Sequence, residues 1–375
     1  MKIIVKRRHF NHPWIFSNEI IKKENIAPGS IVLVEEQKKI IGTGFYNPHS
    51  LIAIRLFSYG AEKFNRDFLL KKLKSAWMKR SGMGESFRLV ASECDGLPGL
   101  VIDKYNKYFV IQINCFGMEQ YKEMIKEILI GEFKAEGIYE KSEEGFRKQE
   151  GLTVTNGIIF GNIPDLVEIE QDGFRFLVDI KNGQKTGFFF DQRENRKMIK
   201  ELAEGEVLDC FCYTGAFSIY AGNKGKALGI DSSQPAIALA KKNAEINNLR
   251  CDFDCAEVFK TLREFTRTGR RFDTIILDPP SFTKSKKEKI DALRGYQEIN
   301  LSAMKILNPG GLLFTASCSY HISRQEFLQM LQSSARDAHK QFQIIQEGVQ
   351  PKDHPVLLNF PESNYLKSFL LRMVD

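Results

Sequence analysis

Apolar residues early in the chain come in short runs broken by Gly, Pro and Asn: Ser30–Val34, Ile40–Phe45 and Leu51–Phe57. Such runs predict strands joined by turns, and three in close succession predict a small β-barrel module over 1–74. Arg66–Arg80 breaks that rhythm by setting Phe68, Leu69, Leu73 and Trp77 at helical spacing. Strand-like runs return at Phe87–Ala91, Gly99–Asp103 and Tyr108–Asn114, followed by a helical stretch over 119–130. Together these predict an α+β middle domain over 75–177. From about residue 180 the pattern changes again. Helical stretches over 192–202, 216–222, 234–247 and 295–307 alternate with apolar runs at Val207–Leu208, Ala227–Ile230, Thr274–Leu277 and Leu312–Thr315. Alternation of this kind predicts an α/β domain over 178–375, built on a doubly wound, mostly parallel sheet.

Each apolar run of that last domain ends in residues able to do chemistry. In open parallel sheets ligands bind just beyond the carboxyl ends of the strands, so these residues should share one rim. The first run opens Asp209-Cys-Phe211-Cys-Tyr213-Thr214-Gly215-Ala216, which leads from strand to helix with a single glycine. A dinucleotide pyrophosphate needs several glycines for close backbone approach. S-adenosylmethionine has no phosphate and needs only a snug turn, so the motif favours a methyl donor held by Asp209, Phe211, Tyr213, Thr214 and Gly215. Asp231 ends the second run, 22 residues after Asp209, where a carboxylate can accept both ribose hydroxyls. Capping of the next helix is the other use of such a residue, but Ser232 or Ser233 can supply that cap. Beyond the third strand, Glu257 is the candidate acceptor for the adenine amino group, with the Val258 amide facing the ring; Asp254 competes for the role.

Asp278-Pro279-Pro280-Ser281-Phe282 closes the fourth strand, and its prolines stiffen a loop that aims Asp278 and Pro279 at donor and acceptor. A related Asn/Asp-Pro-Pro-aromatic loop serves amino-group methylation of bases, but Ser281 displaces the aromatic here by one position. Ser317-Cys318-Ser319 follows the fifth strand. Cytosine C5 is a weak nucleophile until a thiolate adds at C6, and Cys318 suits that reversible attack. A lone cysteine is ordinarily a buried structural one; its place beside Asp278 at the same rim favours the nucleophile. Finally, Phe188–Phe190 leads into Asp191-Gln192-Arg193 and Arg196. Gln192 could set its amide against the amino-acid end of the donor, while Arg193 and Arg196 could reach phosphate or the donor carboxylate.

Composition narrows the setting. The 375 residues are 43% hydrophobic with a net charge of +7, and no apolar run is long enough to span a membrane. Seven cysteines, an odd number scattered through apolar segments, suggest reduced thiols and a cytoplasmic protein. Cys210/Cys212 and Cys251/Cys255 lack the usual zinc-ligand spacing, so no metal is expected. Basic clusters at Lys6–Arg8, Lys71–Lys72, Arg270–Arg271 and Lys284–Lys289 permit a polyanionic partner, though solvated surface explains any one of them equally well.

Taken together, several segments resemble the ribosomal RNA large subunit methyltransferase I family, cytosine-C5 methyltransferases of 23S rRNA that use S-adenosylmethionine. They are Arg7–Ser17, similar to the start of the family's PUA domain, Glu93–Asp103, Lys185–Arg193, Phe211–Gly215, Asp278–Pro280, Arg294–Tyr296 and Ser317–Ser319. The resemblance covers nearly the whole chain and implies a PUA-like domain, an α+β domain and a class I methyltransferase domain with a seven-stranded sheet. By it Cys318 would be the nucleophile, and Asp278 would steady the cytosine near N3. Arg7, Arg8, Lys284, Lys286 and Lys287 would contact RNA phosphates, and a homodimer is allowed. The family often has Asp-Asp-Val-Phe where this chain has Ala256–Phe259, which leaves the adenine contact to Glu257. The related 7-methylguanine enzymes share the framework but lack the cysteine, so Cys318 separates this chain from them; the alternatives are the same fold acting on another rRNA position such as guanine N7, or a non-catalytic RNA-binding assembly role.

Overall fold

The computed structural model describes residues 1–6, 11–23, 25–223, 225–283 and 286–374, with Lys286 described by its backbone alone. Two compact units are present. One comprises Met1–Ile169, Val178–Phe190 and Lys352–Ser363; the other comprises Glu170–Leu177, Asp191–Pro351 and Asn364–Asp375.

In the first unit the three expected strands, joined by three shorter, unexpected ones, form a six-stranded sheet in the order Trp14–Phe16, Ile52–Ser58, Lys39–Tyr46, Ile31–Glu36, Lys2–Val5, Ile20–Lys22. Phe45 and Phe57 of this sheet share a buried aromatic cluster with Phe64, Phe68 and Tyr121, with ring centroids 4.5 to 5.8 Å apart. The helix of the Arg66 stretch runs Arg66–Lys79, started by the Asn65 side chain accepting from the Phe68 amide. It packs with a five-stranded sheet ordered Gly157–Gly161, Gly137–Glu140, Tyr108–Ile113, Leu100–Tyr105, Ser86–Ala91. The helix expected over 119–130 is two helices, Phe116–Glu119 and Lys122–Gly131. The first of them lies against Phe45, where a side chain at Gly117 would collide with the ring.

The second unit holds a seven-stranded sheet. Its strands are β1 (Glu206–Cys210), β2 (Lys226–Asp231), β3 (Cys251–Cys255), β4 (Phe272–Leu277), β5 (Leu307–Ser317), β6 (Phe342–Glu347) and β7 (Lys367–Met373). The spatial order is β3-β2-β1-β4-β5-β7-β6, with β1 to β5 parallel and β7 antiparallel to both its neighbours. The helices are α1 (Arg193–Leu202), α2 (Ala216–Gly222), α3 (Gln234–Ile246), α4 (Val258–Thr268), α5 (Lys289–Ile306) and α6 (Arg324–Asp337). Leu208 and Cys210 of β1, Ile275 and Leu277 of β4 and Leu313 of β5 are buried in one core on one face; Val207, Ile276 and Phe314 are buried in another. Burial on both faces explains why these strands read as continuous apolar runs. The order reverses direction between β1 and β4, which opens a crevice at their carboxyl ends. Among the described residues no helix is long and apolar enough to cross a membrane.

Candidate active site

Strand register sets the rim. Cys210 of β1 lies level with Ile230 of β2 and Leu277 of β4, and Leu277 lies level with Thr315 of β5. Asp209, Asp231, Asp278 and Cys318 therefore emerge at the carboxyl ends of four adjacent strands.

The turn after β1 is tightly wound. Phe211 and Tyr213 both hold left-handed backbone, at φ 65° and 48°, and Gly215 follows at φ 81°. Such conformations cost energy in non-glycine residues and gather at functional sites. Gly215 itself is dictated by packing, since a Cβ there would sit 2.9 Å from the Phe253 ring and 3.0 Å from Ala240. The Asp231 carboxylate fastens the turn from β2: one oxygen accepts the Tyr213 amide at 3.0 Å and the other the Ser233 amide at 2.8 Å. Ser233, rather than Ser232, caps α3. Thr214 is buried, and its carbonyl accepts from Asn243 at 3.1 Å.

Asp209 is wholly buried. Its Oδ2 accepts from the Ser218 amide at 2.9 Å and the Ser218 hydroxyl at 2.6 Å, while Oδ1 meets no protein partner. Burial pushes the carboxyl up to about 7; the bonds from Ser218 oppose this, and the neighbouring charges of Asp278 and Asp231 reinforce it. An orphaned, buried carboxylate oxygen at a ligand rim is what a cationic ligand would satisfy. At the head of α4, Glu257 accepts from the Phe259 amide at 3.0 Å and the Lys260 amide at 2.8 Å, so it serves as that helix's N-cap. Val258 is the first residue of α4, its side chain in the core.

Gln192 lies in the short turn ahead of α1. Its Nε2 donates to Asp278 Oδ1 at 2.7 Å, and its Oε1 accepts from Asn195, whose own Oδ1 accepts from Ser368 of β7 at 3.2 Å. These bonds settle which way the Gln192 amide points and hold Asp278 as an acceptor. The loops after β4 and β5 are joined directly: the Ser281 and Ser319 hydroxyls share a 2.9 Å hydrogen bond, and Ser319 shares another of 3.0 Å with Tyr296 of α5. Ser281, which in the sequence only displaces an aromatic, is thus the bond between the Asp278 loop and the Cys318 loop. Cys318 is half-buried beside it. The parts played by Asn195 and Tyr296 go unassigned by sequence reasoning; Tyr296 stands in the Arg-Gly-Tyr segment, but Asn195 gives no signal.

Two expected RNA contacts are corrected. Arg193 is buried and grips Asp172 through Nη2 at 2.6 Å and Nε at 3.1 Å. Burial alone would raise the Asp172 carboxyl, but the hydrogen bond and charge of Arg193 prevail and hold it below its usual range. Arg196, 1% exposed, donates to Gln171 at 2.6 Å and lies 5.7 Å over the Tyr220 ring. Both arginines are spent inside the fold rather than offered to phosphate. Lys287 is exposed. Arg7, Arg8 and Lys284, with the Lys286 side chain, lie outside the described residues.

Residues 156–372 match the model of the S-adenosylmethionine-dependent methyltransferase family, and residues 4–59 that of the PUA-like domain. The ribosomal RNA large subunit methyltransferase I of Vibrio cholerae is 41% identical over 379 residues, spanning 97% of this chain and 96% of that protein. Its counterpart from Photobacterium profundum is 40% identical over 374 residues, spanning 96% and 94%. In fold the chain is similar to a candidate SAM-dependent methyltransferase from Streptococcus mutans, with a TM-score of 0.84 at 21% identity over 99% of this chain and 100% of that one. It is equally similar to a candidate methyltransferase complexed with SAH, with a TM-score of 0.83 at 21% identity and the same coverage. With a seven-stranded α/β methyltransferase fold that follows a PUA-like domain in the sequence, the chain belongs to the ribosomal RNA large subunit methyltransferase I family and is an S-adenosylmethionine-dependent methyltransferase.

Proposed function

We propose that this enzyme methylates C5 of a cytosine in 23S ribosomal RNA through a covalent adduct with Cys318. The observation that carries the reading is the joining of the Cys318 and Asp278 loops by the Ser281–Ser319 hydrogen bond, which puts a thiol and a carboxylate on neighbouring strand ends. Ribosomal RNA as the substrate class follows from what the curated relatives are named for.

The donor fits the rim. Asp209, Phe211, Tyr213, Thr214, Gly215, Asp231, Ser232, Glu257, Val258, Asp278 and Pro279 would hold it, with the orphaned Asp209 Oδ1 meeting a cationic group. Gln192 would act on the donor side only through Asp278. When bound, S-adenosylmethionine supplies the electrophilic methyl that C5 accepts. The work of the chain's own residues begins with a target base splayed out of the RNA. The Cys318 thiolate bonds to C6, and the displaced electron pair makes C5 nucleophilic while N3 takes up a proton from solvent. Asp278, held as an acceptor by Gln192, receives the hydrogen bond from that N3–H. Loss of H5 to a base and return of the N3 proton to solvent then restore the C5–C6 double bond, break the bond between sulfur and C6 and release Cys318 as its thiolate.

Arg7, Arg8, Lys284, Lys286 and Lys287 would contact phosphates without reading sequence. We further infer a division into 1–74, 75–177 and 178–375, and action in the cytoplasm. The test is transfer of labelled methyl from S-adenosylmethionine to unmodified 23S rRNA, with nucleoside analysis, for the wild type beside Cys318→Ala. The proposal expects 5-methylcytosine from the wild type and none from the variant, with donor binding unchanged. A different methylated nucleoside, or an unaffected variant, would overturn it.

A further inference from the structure

Lys367 opens β7 directly across from Ser317, the last residue of β5. It is only 9% exposed, and its ammonium donates to the Ser319 carbonyl at 2.6 Å and the Tyr365 carbonyl at 2.7 Å. The side chain therefore brackets Cys318: its backbone pairs with the residue before the cysteine, and its nitrogen binds the residue after it. Buried lysines are rare and are ordinarily paired with a carboxylate. Among the described residues no carboxylate pairs with this one. Two of its three N–H groups are taken by carbonyls, one of them that of the residue after Cys318, so its charge sits beside the cysteine loop.

We propose that Lys367 is a positioning residue for Cys318, pinning the loop that carries the cysteine and stabilising its thiolate. This rests on the reading of Cys318 as the nucleophile. The remaining groups around the loop do not supply that charge. Tyr296 from α5 binds Ser319, and burial pushes its hydroxyl up to about 12, which keeps it neutral. Asp278 on the β4 loop carries no positive charge and accepts from Gln192. Tyr365, which precedes β7, gives its hydroxyl to Asp191 at 2.8 Å. Tyr320 and His321 follow Cys318 in the loop, their rings 5.3 Å apart. Burial lowers the Lys367 amine to about 8 against the pull of the thiolate, so it is charged through neutral pH and loses its charge as the solution becomes more alkaline.

The test follows alkylation of Cys318 by iodoacetamide against pH in the full-length protein, read by peptide mass spectrometry so that the other cysteines do not interfere. The wild-type midpoint is expected below the ordinary thiol value of about 8.5. Lys367→Met should raise it by about one pH unit or more and slow alkylation near pH 7 about tenfold, whereas Lys367→Arg, which keeps the charge, should leave it low. The acid limb of the methyl-transfer profile should move upward in Lys367→Met with the alkylation midpoint. Equal midpoints in the wild type and a folded Lys367→Met protein would overturn the proposal. So would a wild-type midpoint at or above about 8.5, which decides the matter even if the methionine variant does not fold. Methyl transfer that survives Cys318→Ala would instead break the nucleophile reading, a separate outcome from the alkylation midpoint.

Discussion

Replacing Asp209 with Asn should make the ligand-free protein more stable in mildly alkaline solution while weakening donor binding. The carboxylate is fully buried, has two bonds from Ser218 on one oxygen and none on the other, and titrates at about 7 against an ordinary 3.8. That difference corresponds to roughly 4 kcal/mol. The sign follows from proton binding. The folded chain holds this proton more tightly than the unfolded chain, so below about pH 4 both forms are protonated and ionisation costs nothing. Between about 4 and 7 the unfolded chain ionises first and stability declines; above about 7 the full cost is present. Asparagine does not titrate, and the value of about 7 already contains the opposing effect of the Ser218 bonds, so nothing further is subtracted for them. The variant should therefore gain up to roughly 4 kcal/mol over the wild type near pH 8 and nothing near pH 4. Urea unfolding of both proteins across that range measures the difference, and calorimetric titration with S-adenosylmethionine measures the binding. Wild-type affinity should climb as the pH approaches about 7 and Asp209 ionises; the variant should show no such rise. Parallel stability profiles for the two proteins would refute the reasoning, because they would mean that the buried carboxyl does not carry the assigned cost.

Gln192→Leu removes the donor to Asp278 and should cost about 1 to 3 kcal/mol in urea unfolding. It should also lower kcat for methyl transfer with donor affinity kept, and calorimetry beside steady-state kinetics separates the two. Arg193→Met leaves the Asp172 carboxylate to the Tyr220 hydroxyl and the more distant Lys197, and should cost about 1 to 3 kcal/mol of stability. Its rRNA affinity, measured against salt concentration, should keep the wild-type slope; a slope reduced by about one would return Arg193 to the RNA face.

Those elements whose signals are local were legible in the sequence. Arg66–Lys79 carries its own cap and apolar stripe, and β1, β2, β4 and β5 read as apolar runs because both faces of the sheet are covered. Other elements depend on distant partners. The β6 strand is largely exposed and exists through pairing with β7, some 25 residues later in the chain. The start of α5 reads as a charged loop, yet Lys289 is drawn into the helix, where it pairs with Glu326 of α6. The α6 helix has a visible start in the reciprocal cap of Ser323 and Glu326, with Phe327, Met330 and Leu331 at helical spacing. It is nonetheless absent from the helices expected from periodicity, which the larger strand-and-motif pattern dominated.

The site divides along the same physical line. Asp209, Asp231, Asp278 and Cys318 were readable because a residue that ends a parallel strand is carried to the rim by topology alone. Their supports were not readable, since each depends on a side chain brought from elsewhere: Gln192 to Asp278, Ser281 to Ser319, Lys367 to the carbonyl beyond Cys318. The arginines show the converse. Arg193 and Arg196 at a helix start look like a solvated cationic face until Gln171 and Asp172 arrive from the preceding hairpin to bury them. Arg193 has its carboxylate, whereas Arg196 has an amide and a ring but keeps a buried Nε without a hydrogen bond. Asp209 keeps an orphaned oxygen, and Lys367 has no carboxylate partner among the described residues. Under the readings proposed above, a charge of opposite sign at the rim would complete each of them: the donor's cation for Asp209 and the cysteine's thiolate for Lys367.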